Sequence, residues 1–316
     1  MSFVSAGLRM GILRASRSEL LKRRMTRLPF VRRAVARFMP GETLAEALDA
    51  CAALRDQGLG TLVTLLGENV TREPEARAVV THYAGVLDEI ARRGLDTEVS
   101  VKPTHLGLEV GAAVAAASCA DLAACAASFG SDLWVDMEGS DTTLATLDLF
   151  RGVHAAHANT GLCLQAYLRR TAGDLEALLT DPAGAPKVRL VKGAYAEPPE
   201  VAFVKKREVD ASFLSLATRM LAAAGGSGAR MVFGTHDLAA IRSVCEAAAA
   251  RGVSKAAFEF HMLYGIQREE QRRLAAAGYR VRVLISYGSE WFPWYMRRLA
   301  ERPANLWFVA RSVLAR

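Results

Sequence analysis

Short apolar runs of strand length recur from Gly60 onward, at 61–66, 98–102, 132–136, 161–165, 188–191, 231–235, 257–260 and 279–285. Most lack polar alternation, as expected of parallel strands covered on both faces. Between them lie segments of helical periodicity at 72–93, 109–128, 140–157, 172–179, 197–224, 237–250, 267–277 and 290–301. In the first of these, Val79, Tyr83, Val86, Leu87 and Ile90 form one apolar stripe with charges opposite. Eight strand-then-helix units over about 255 residues match the size and rhythm of a (β/α)8 TIM-type barrel in the α/β class. A doubly wound open sheet is the alternative, but no G-x-G-x-x-G follows the first strand. The expected division is a basic helical arm, 1–55, packed on a catalytic barrel, 56–316, with the last helix over the barrel mouth.

The chain has 316 residues, 51% hydrophobic and 23% charged, which excludes a disordered polymer. Its least polar stretch, 112–129, is mostly Ala and is interrupted by Asp121, so a buried helix is expected there and not a membrane span. Five widely spaced cysteines without a CxxC pair indicate neither a zinc site nor a disulfide framework. They read as small buried hydrophobes in a reducing cytoplasm. The net charge of +7 is concentrated at one end. Residues 1–40 hold ten Lys and Arg against Glu19 alone, while the other 276 residues hold 30 basic and 32 acidic groups. A basic amphipathic arm can rest on anionic lipid or pack on the body as a solvated extension. The expected location is cytoplasmic, peripheral at the inner face of the membrane. No nucleic-acid partner is expected.

A barrel concentrates its chemistry where strands end and loops begin. Those positions hold Glu68 and Asn69; Lys102 and Thr104; Asp136 and Glu138; Gln165 and Tyr167; Lys192 and Tyr195; Thr235, His236 and Asp237; His261; Ser286 and Tyr287. With Arg189 inside a strand and Arg297 and Arg298 in the last helix, five cations are placed around one cavity. Such a set suits an anionic ligand carrying a carboxylate, a phosphate or both. Glu301 follows the arginine pair at i+4 and i+3 and can orient it. Metal chemistry is not expected, since HExxH is absent and His154 and His157 read as surface residues. The lack of a G-x-S-x-G elbow and of a P-loop excludes the common hydrolases and NTPases. Two chemistries stay open. One is a Schiff-base lyase or aldolase using Lys102 or Lys192. The other is a barrel holding a phosphate-bearing cofactor beside a carboxylate substrate, favoured by Lys192-Gly193-Ala194, whose small residues admit a pyrophosphate to the backbone.

Six motifs then share one resemblance. Arg189-Leu-Val-Lys-Gly-Ala-Tyr195, Leu164-Gln-Ala-Tyr167, Asp136-Met-Glu138, Thr235-His-Asp237, Phe258-Glu-Phe-His-Met-Leu-Tyr-Gly265 and Arg297-Arg-Leu-Ala-Glu301 resemble the bacterial monofunctional proline dehydrogenases. The resemblance runs in consistent order from about Gly60 to the C-terminus. It implies noncovalent FAD, oxidation of L-proline to Δ1-pyrroline-5-carboxylate by hydride transfer to flavin N5, and a quinone acceptor. It also implies that Lys102, Arg297 and Arg298 hold the substrate carboxylate and that Asp136 and Arg189 line the reacting centre. Met137, Gln165, Arg189, Lys192, Gly193, Ala194, Thr235, His236, His261 and Glu301 would contact FAD. Three positions depart from the family: His261 for Gln, Leu284 for a pocket Tyr, and Trp294 for a second Tyr. The carboxylate clamp is kept while the apolar wall changes, so another cyclic or N-substituted amino acid is an alternative substrate.

Overall fold

A computed structural model describes residues 35–182, 184–224, 229–292 and 295–296. Eight parallel strands close into a barrel in sequence order. They are β1 (Gly60–Leu65), β2 (Thr97–Val101), β3 (Leu133–Val135), β4 (Thr160–Gln165), β5 (Lys187–Val191), β6 (Arg230–Gly234), β7 (Phe258–Leu263) and β8 (Arg280–Tyr287). Closure is made by β1 on β8, with Gly60 opposite Arg282 and Leu65 opposite Tyr287. The helices are α1 (Leu44–Arg55), α2 (Glu73–Arg92), α3 (Ala112–Ser128), α4 (Thr143–Ala156), α5 (Thr171–Leu179), α6 (Lys206–Ala223), α7 (Leu238–Ala250) and α8 (Arg268–Ala276). The expected barrel is thus formed, with α1 ahead of β1 and a helix after each of β1 to β7.

Local sequence explains the helix ends. Thr43 caps α1 through a reciprocal box with Glu46. Helix α2 starts with Pro74 in its first turn between Glu73 and Glu75, and ends on Arg92, which suits its dipole. Its stripe of Val79, Tyr83, Val86, Leu87 and Ile90 is buried against the sheet, each large side chain contributing about 1.5–3 kcal/mol. Helix α1 packs on β1 and β8 and adds Ala47, Leu48 and Cys51 to the core. Most of the arm, 1–34, lies outside the described residues, as does most of the expected 290–301 helix. Among the described residues, no helix is long and apolar enough to cross a membrane.

Two expectations are corrected. His154 is buried in α4, where its ring stacks on Phe150 at 5.0 Å and its Nδ1 lies 3.0 Å from the Thr160 carbonyl. It stands four residues after Phe150, on the apolar stripe of the helix, while His157 is half-buried. The strands, moreover, are apolar outward and heavily polar inward. At the N-terminal ends of the strands Arg230 binds Glu98 and Asp132, at 2.7 and 2.5 Å, and also Glu259. Arg282 reaches Glu98 at 3.3 Å and Asp96 at 2.8 Å, and Lys187 binds Asp132. Above this charged floor sits a small apolar layer of Leu62, Trp134 and Val232, with Leu284 packed against it.

Candidate active site

Trp134 forms the boundary between floor and mouth. Its Nε1–H donates to Glu98 at 2.7 Å. The guanidiniums of Arg230 and Arg189 lie 5.2 and 5.0 Å from its ring centroid, and His261 meets it edge-on at 5.3 Å. Space for the indole comes from Gly161 on β4, where a Cβ would lie 2.7 Å from the ring.

Above the indole the mouth is built from strand ends. Arg189 binds Asp136 and donates to Ser100 Oγ at 2.9 Å, and Ser100 donates to Asp136 at 3.0 Å. This closed triangle joins β2, β3 and β5. Gln165 donates its amide to the Met137 carbonyl at 3.0 Å, which fixes the loop after β3 to β4. Gln165 Oε1, Arg189 Nη1 and His261 Nδ1 are among the buried atoms that make no hydrogen bond among the described residues. They offer one donor and, with neutral His261, two acceptors. Burial holds the imidazole down at about 3, outweighing the Glu259 carboxylate, while Arg189 and Arg230 also disfavour its protonation. Its Nε2 faces Glu259 at 3.1 Å, so neutral His261 donates there and Nδ1 keeps a lone pair. Burial works against an ionised Glu259, but the His261 hydrogen bond and the charges of Arg230 and Arg282 keep its carboxyl low.

Lys102 follows β2 and is only 8% exposed. Among the described residues its ammonium has no carboxylate within ion-pair distance and no hydrogen bond. A buried cation in that state is costly unless a ligand meets it. Leu284, expected in the substrate wall, is half-buried and packs against the apolar layer below. Lys192, by contrast, is ion-paired to Asp210 at 2.5 Å and Asp237 at 2.7 Å. Lys206 joins the same two acids, so the cluster alternates in charge. Gly193 has φ +108°, and a Cβ there would overlap the Tyr167 ring, which explains the glycine directly. Thr235 is buried and its hydroxyl accepts from the Asp237 N–H at 3.2 Å; Asp237 in turn caps α7. Met137 is buried, and His236 and Ala194 are half-buried at the same rim.

The structure thus gathers Lys102, Asp136, Met137, Gln165, Arg189, His261 and Leu284 on the inner and upper barrel. Trp294, Arg297, Arg298 and Glu301 lie outside the described residues. Ser100, Trp134 and Glu259 are further site residues that the sequence reading did not single out. Strand alternation was their signal: once Lys102 and Asp136 face inward, Ser100 and Trp134, each two residues earlier, must too.

A sequence profile described as proline dehydrogenase matches residues 47–311. Proline dehydrogenase 1 of Bacillus subtilis is 36% identical over 278 residues, 88% of this chain and 90% of that protein. The proline dehydrogenase of Deinococcus radiodurans is 35% identical over 284 residues, 88% of this chain and 89% of that one. Among solved structures, proline utilization A from Bdellovibrio bacteriovorus, described as inactivated by N-propargylglycine, superposes with a TM-score of 0.80 at 24% identity. That match covers 86% of this chain and 33% of the other, so the present chain spans about a third of the larger protein. It shows the barrel fold. The profile and the two curated relatives show more: this chain is an oxidoreductase of the proline dehydrogenase family.

Proposed function

We propose that the protein oxidises L-proline to Δ1-pyrroline-5-carboxylate with FAD as its bound cofactor and passes the electrons to a quinone. The observation that carries the substrate half is Lys102, a buried ammonium without a partner among the described residues, placed where an amino-acid carboxylate can neutralise it. In this reading Arg297, Arg298, Leu284 and Trp294 complete the substrate pocket.

The cofactor half rests on Gln165 Oε1, Arg189 Nη1 and His261 Nδ1, buried polar atoms left open at the mouth. An oxidised isoalloxazine edge presents two ring carbonyls and one N–H, so Arg189 Nη1 can donate to a carbonyl while one of the two acceptors takes the N–H. Arg189, Gln165 and His261 would therefore hold the ring, with Met137, Thr235, His236, Gly193, Ala194 and Glu301 as further neighbours. Lys192 would meet the phosphate end while shared with Asp210 and Asp237. FAD, when bound, supplies the two-electron acceptor. The chain's own residues bind and orient: Lys102 fixes the carboxylate, and Asp136 with Ser100 locks the Arg189 guanidinium in one plane. Trp134 closes the mouth from below and excludes the charged floor. The basic arm, 1–40, is proposed to bring the enzyme to the membrane that carries the quinone.

A lyase reading is favoured by the same Lys102, since an imine-forming lysine is also buried and unpaired. The two separate cleanly. The purified protein should show the visible absorption of oxidised flavin, and anaerobic L-proline should bleach it. A colourless protein whose Lys102 or Lys192 is trapped with a carbonyl substrate by borohydride would overturn the dehydrogenase reading.

A further inference from the structure

The loop after β3 carries a second acid, this one buried, that the proposed reaction leaves without a role. Glu138 is 4% exposed, and both its carboxylate oxygens are committed to one residue. Oε2 accepts the Thr104 backbone N–H at 2.9 Å, and Oε1 accepts the Thr104 hydroxyl at 2.7 Å. Thr104 stands two residues after Lys102, across Pro103, in the turn that leaves β2. The Thr104 carbonyl accepts from Val70 N at 3.0 Å, so the turn is tied to the neighbouring loops on both sides. The Lys102 carbonyl accepts from His105 and Leu106, each at 3.0 Å, which fixes its backbone from within. Glu138 is thus the side-chain clamp on the segment that presents the Lys102 ammonium.

We infer that Glu138 is a positioning residue: by gripping Thr104 it sets where the Lys102 ammonium stands, and hence the affinity for the substrate carboxylate. The inference rests on the preceding reading of Lys102 as the carboxylate anchor.

The energetics agree with a retained function. Burial pushes the Glu138 carboxyl up to about 7, against the pull of the Thr104 hydrogen bonds and of the Lys102 charge, and Glu68 pushes the same way as burial. A buried acid is destabilising unless its partners are well placed, so one held at an active-site rim points to work done there. His105, beside Lys102 and in contact with the Gly67 backbone, is pushed down to about 4 by burial and by Lys102, and is neutral at physiological pH. The titratable groups around the turn are therefore Lys102, His105, Glu138 and Glu68. The carboxylate of Glu138 acts through geometry, since no ion pair joins it directly to Lys102. A small displacement suffices: about 1 Å of misplacement at a binding group can cost a factor on the order of a hundred.

Four variants of the holoenzyme test this, read by KM and kcat for L-proline and by inhibition with cyclopentanecarboxylate, which has the ring and acid but no amine to oxidise. Glu138→Ala is expected to raise KM and the inhibition constant roughly tenfold, the scale of one charge-assisted hydrogen bond. Its kcat and flavin content should stay within about twofold, a split that general loss of structure would not give. Glu138→Gln, which keeps an acceptor for the Thr104 N–H, should recover most of the affinity. Thr104→Val loses only the hydroxyl contact and should raise KM about threefold, which keeps the test open if Glu138→Ala fails to fold. In the Lys102→Ala background, adding Glu138→Ala should weaken binding no further, because both act on one contact. Full additivity in that double variant, or unchanged affinity in Glu138→Ala and Thr104→Val beside a weakened Lys102→Ala, would overturn the positioning role and leave the anchor intact. Unchanged affinity in Lys102→Ala itself would remove the anchor, and the positioning role with it.

Discussion

The barrel interior is two environments stacked on one indole. Below Trp134, Arg230, Arg282 and Lys187 meet Glu98, Glu259, Asp132 and Asp96 in a network where every cation has an acid. Above it, Lys102 has no acid at ion-pair distance among the described residues, and Gln165, Arg189 and His261 each keep a buried atom unbonded. Both regions are polar, and both come mainly from alternate residues of the same strands, with exposed Asp96 at the edge of the floor. The difference is completeness. A satisfied buried network holds the fold, whereas an incomplete one is costly unless something from outside completes it. In the proposed reading the strand ends carry the function because they are the unfinished half.

The contrast predicts opposite outcomes for removing a cation from each half. Arg230→Met removes the cation that Glu98, Asp132 and Glu259 share, leaving each with weaker partners, and should destabilise the protein by about 3–5 kcal/mol. Urea unfolding reads this, and a loss below about 1 kcal/mol would mean that the floor is not a structural network. Lys102→Ala removes an unmatched charge from the mouth and should leave unfolding unchanged or slightly delayed. Its kcat/KM for L-proline should fall roughly ten- to a hundredfold, the worth of one charged carboxylate contact. A Lys102 variant that unfolds early but turns over normally would reverse the assignment of the two halves.

A smaller effect sharpens the comparison within the mouth. The Glu138 carboxyl titrates near its ordinary 4.5 when unfolded but near 7 when folded. Folding is therefore favoured by its protonation below about 4.5, and that advantage is lost as pH rises through about 7. Glu138→Gln escapes the loss. Relative to the parent it should gain stability between pH 5 and pH 8 by on the order of 2 kcal/mol. A parent and variant whose unfolding free energies run parallel over that range would show that this acid is not held protonated by burial.

Much of this was readable in the chain. The rhythm of eight apolar runs gave the barrel, and its logic sent attention to strand ends, where Lys102, Asp136, Gln165 and His261 do converge. The floor was missed for a physical reason. Runs such as 98–102 look apolar because their outward faces are, and Glu98 and Ser100 pass as interruptions until alternation is imposed on them. Trp134 hides likewise between Leu133 and Val135, and only the bare Gly161 on the next strand marks the room made for it. His154 was misplaced because its helix was given no facing, although Phe150 and Leu147 mark the buried side. Whether Lys192 would meet another charge was not readable, since Asp210 and Asp237 are distant in sequence and reach it only through the fold.

The central claim is that the open half of the interior is completed by an amino-acid carboxylate at Lys102 beside a flavin. It is tested most directly by anaerobic flavin bleaching with L-proline and with pyrrolidine, in the parent protein and in Lys102→Ala. The account predicts rapid bleaching of the parent by L-proline, little by pyrrolidine, and a much smaller difference between the two in Lys102→Ala. Equal bleaching of the parent by both compounds would contradict it.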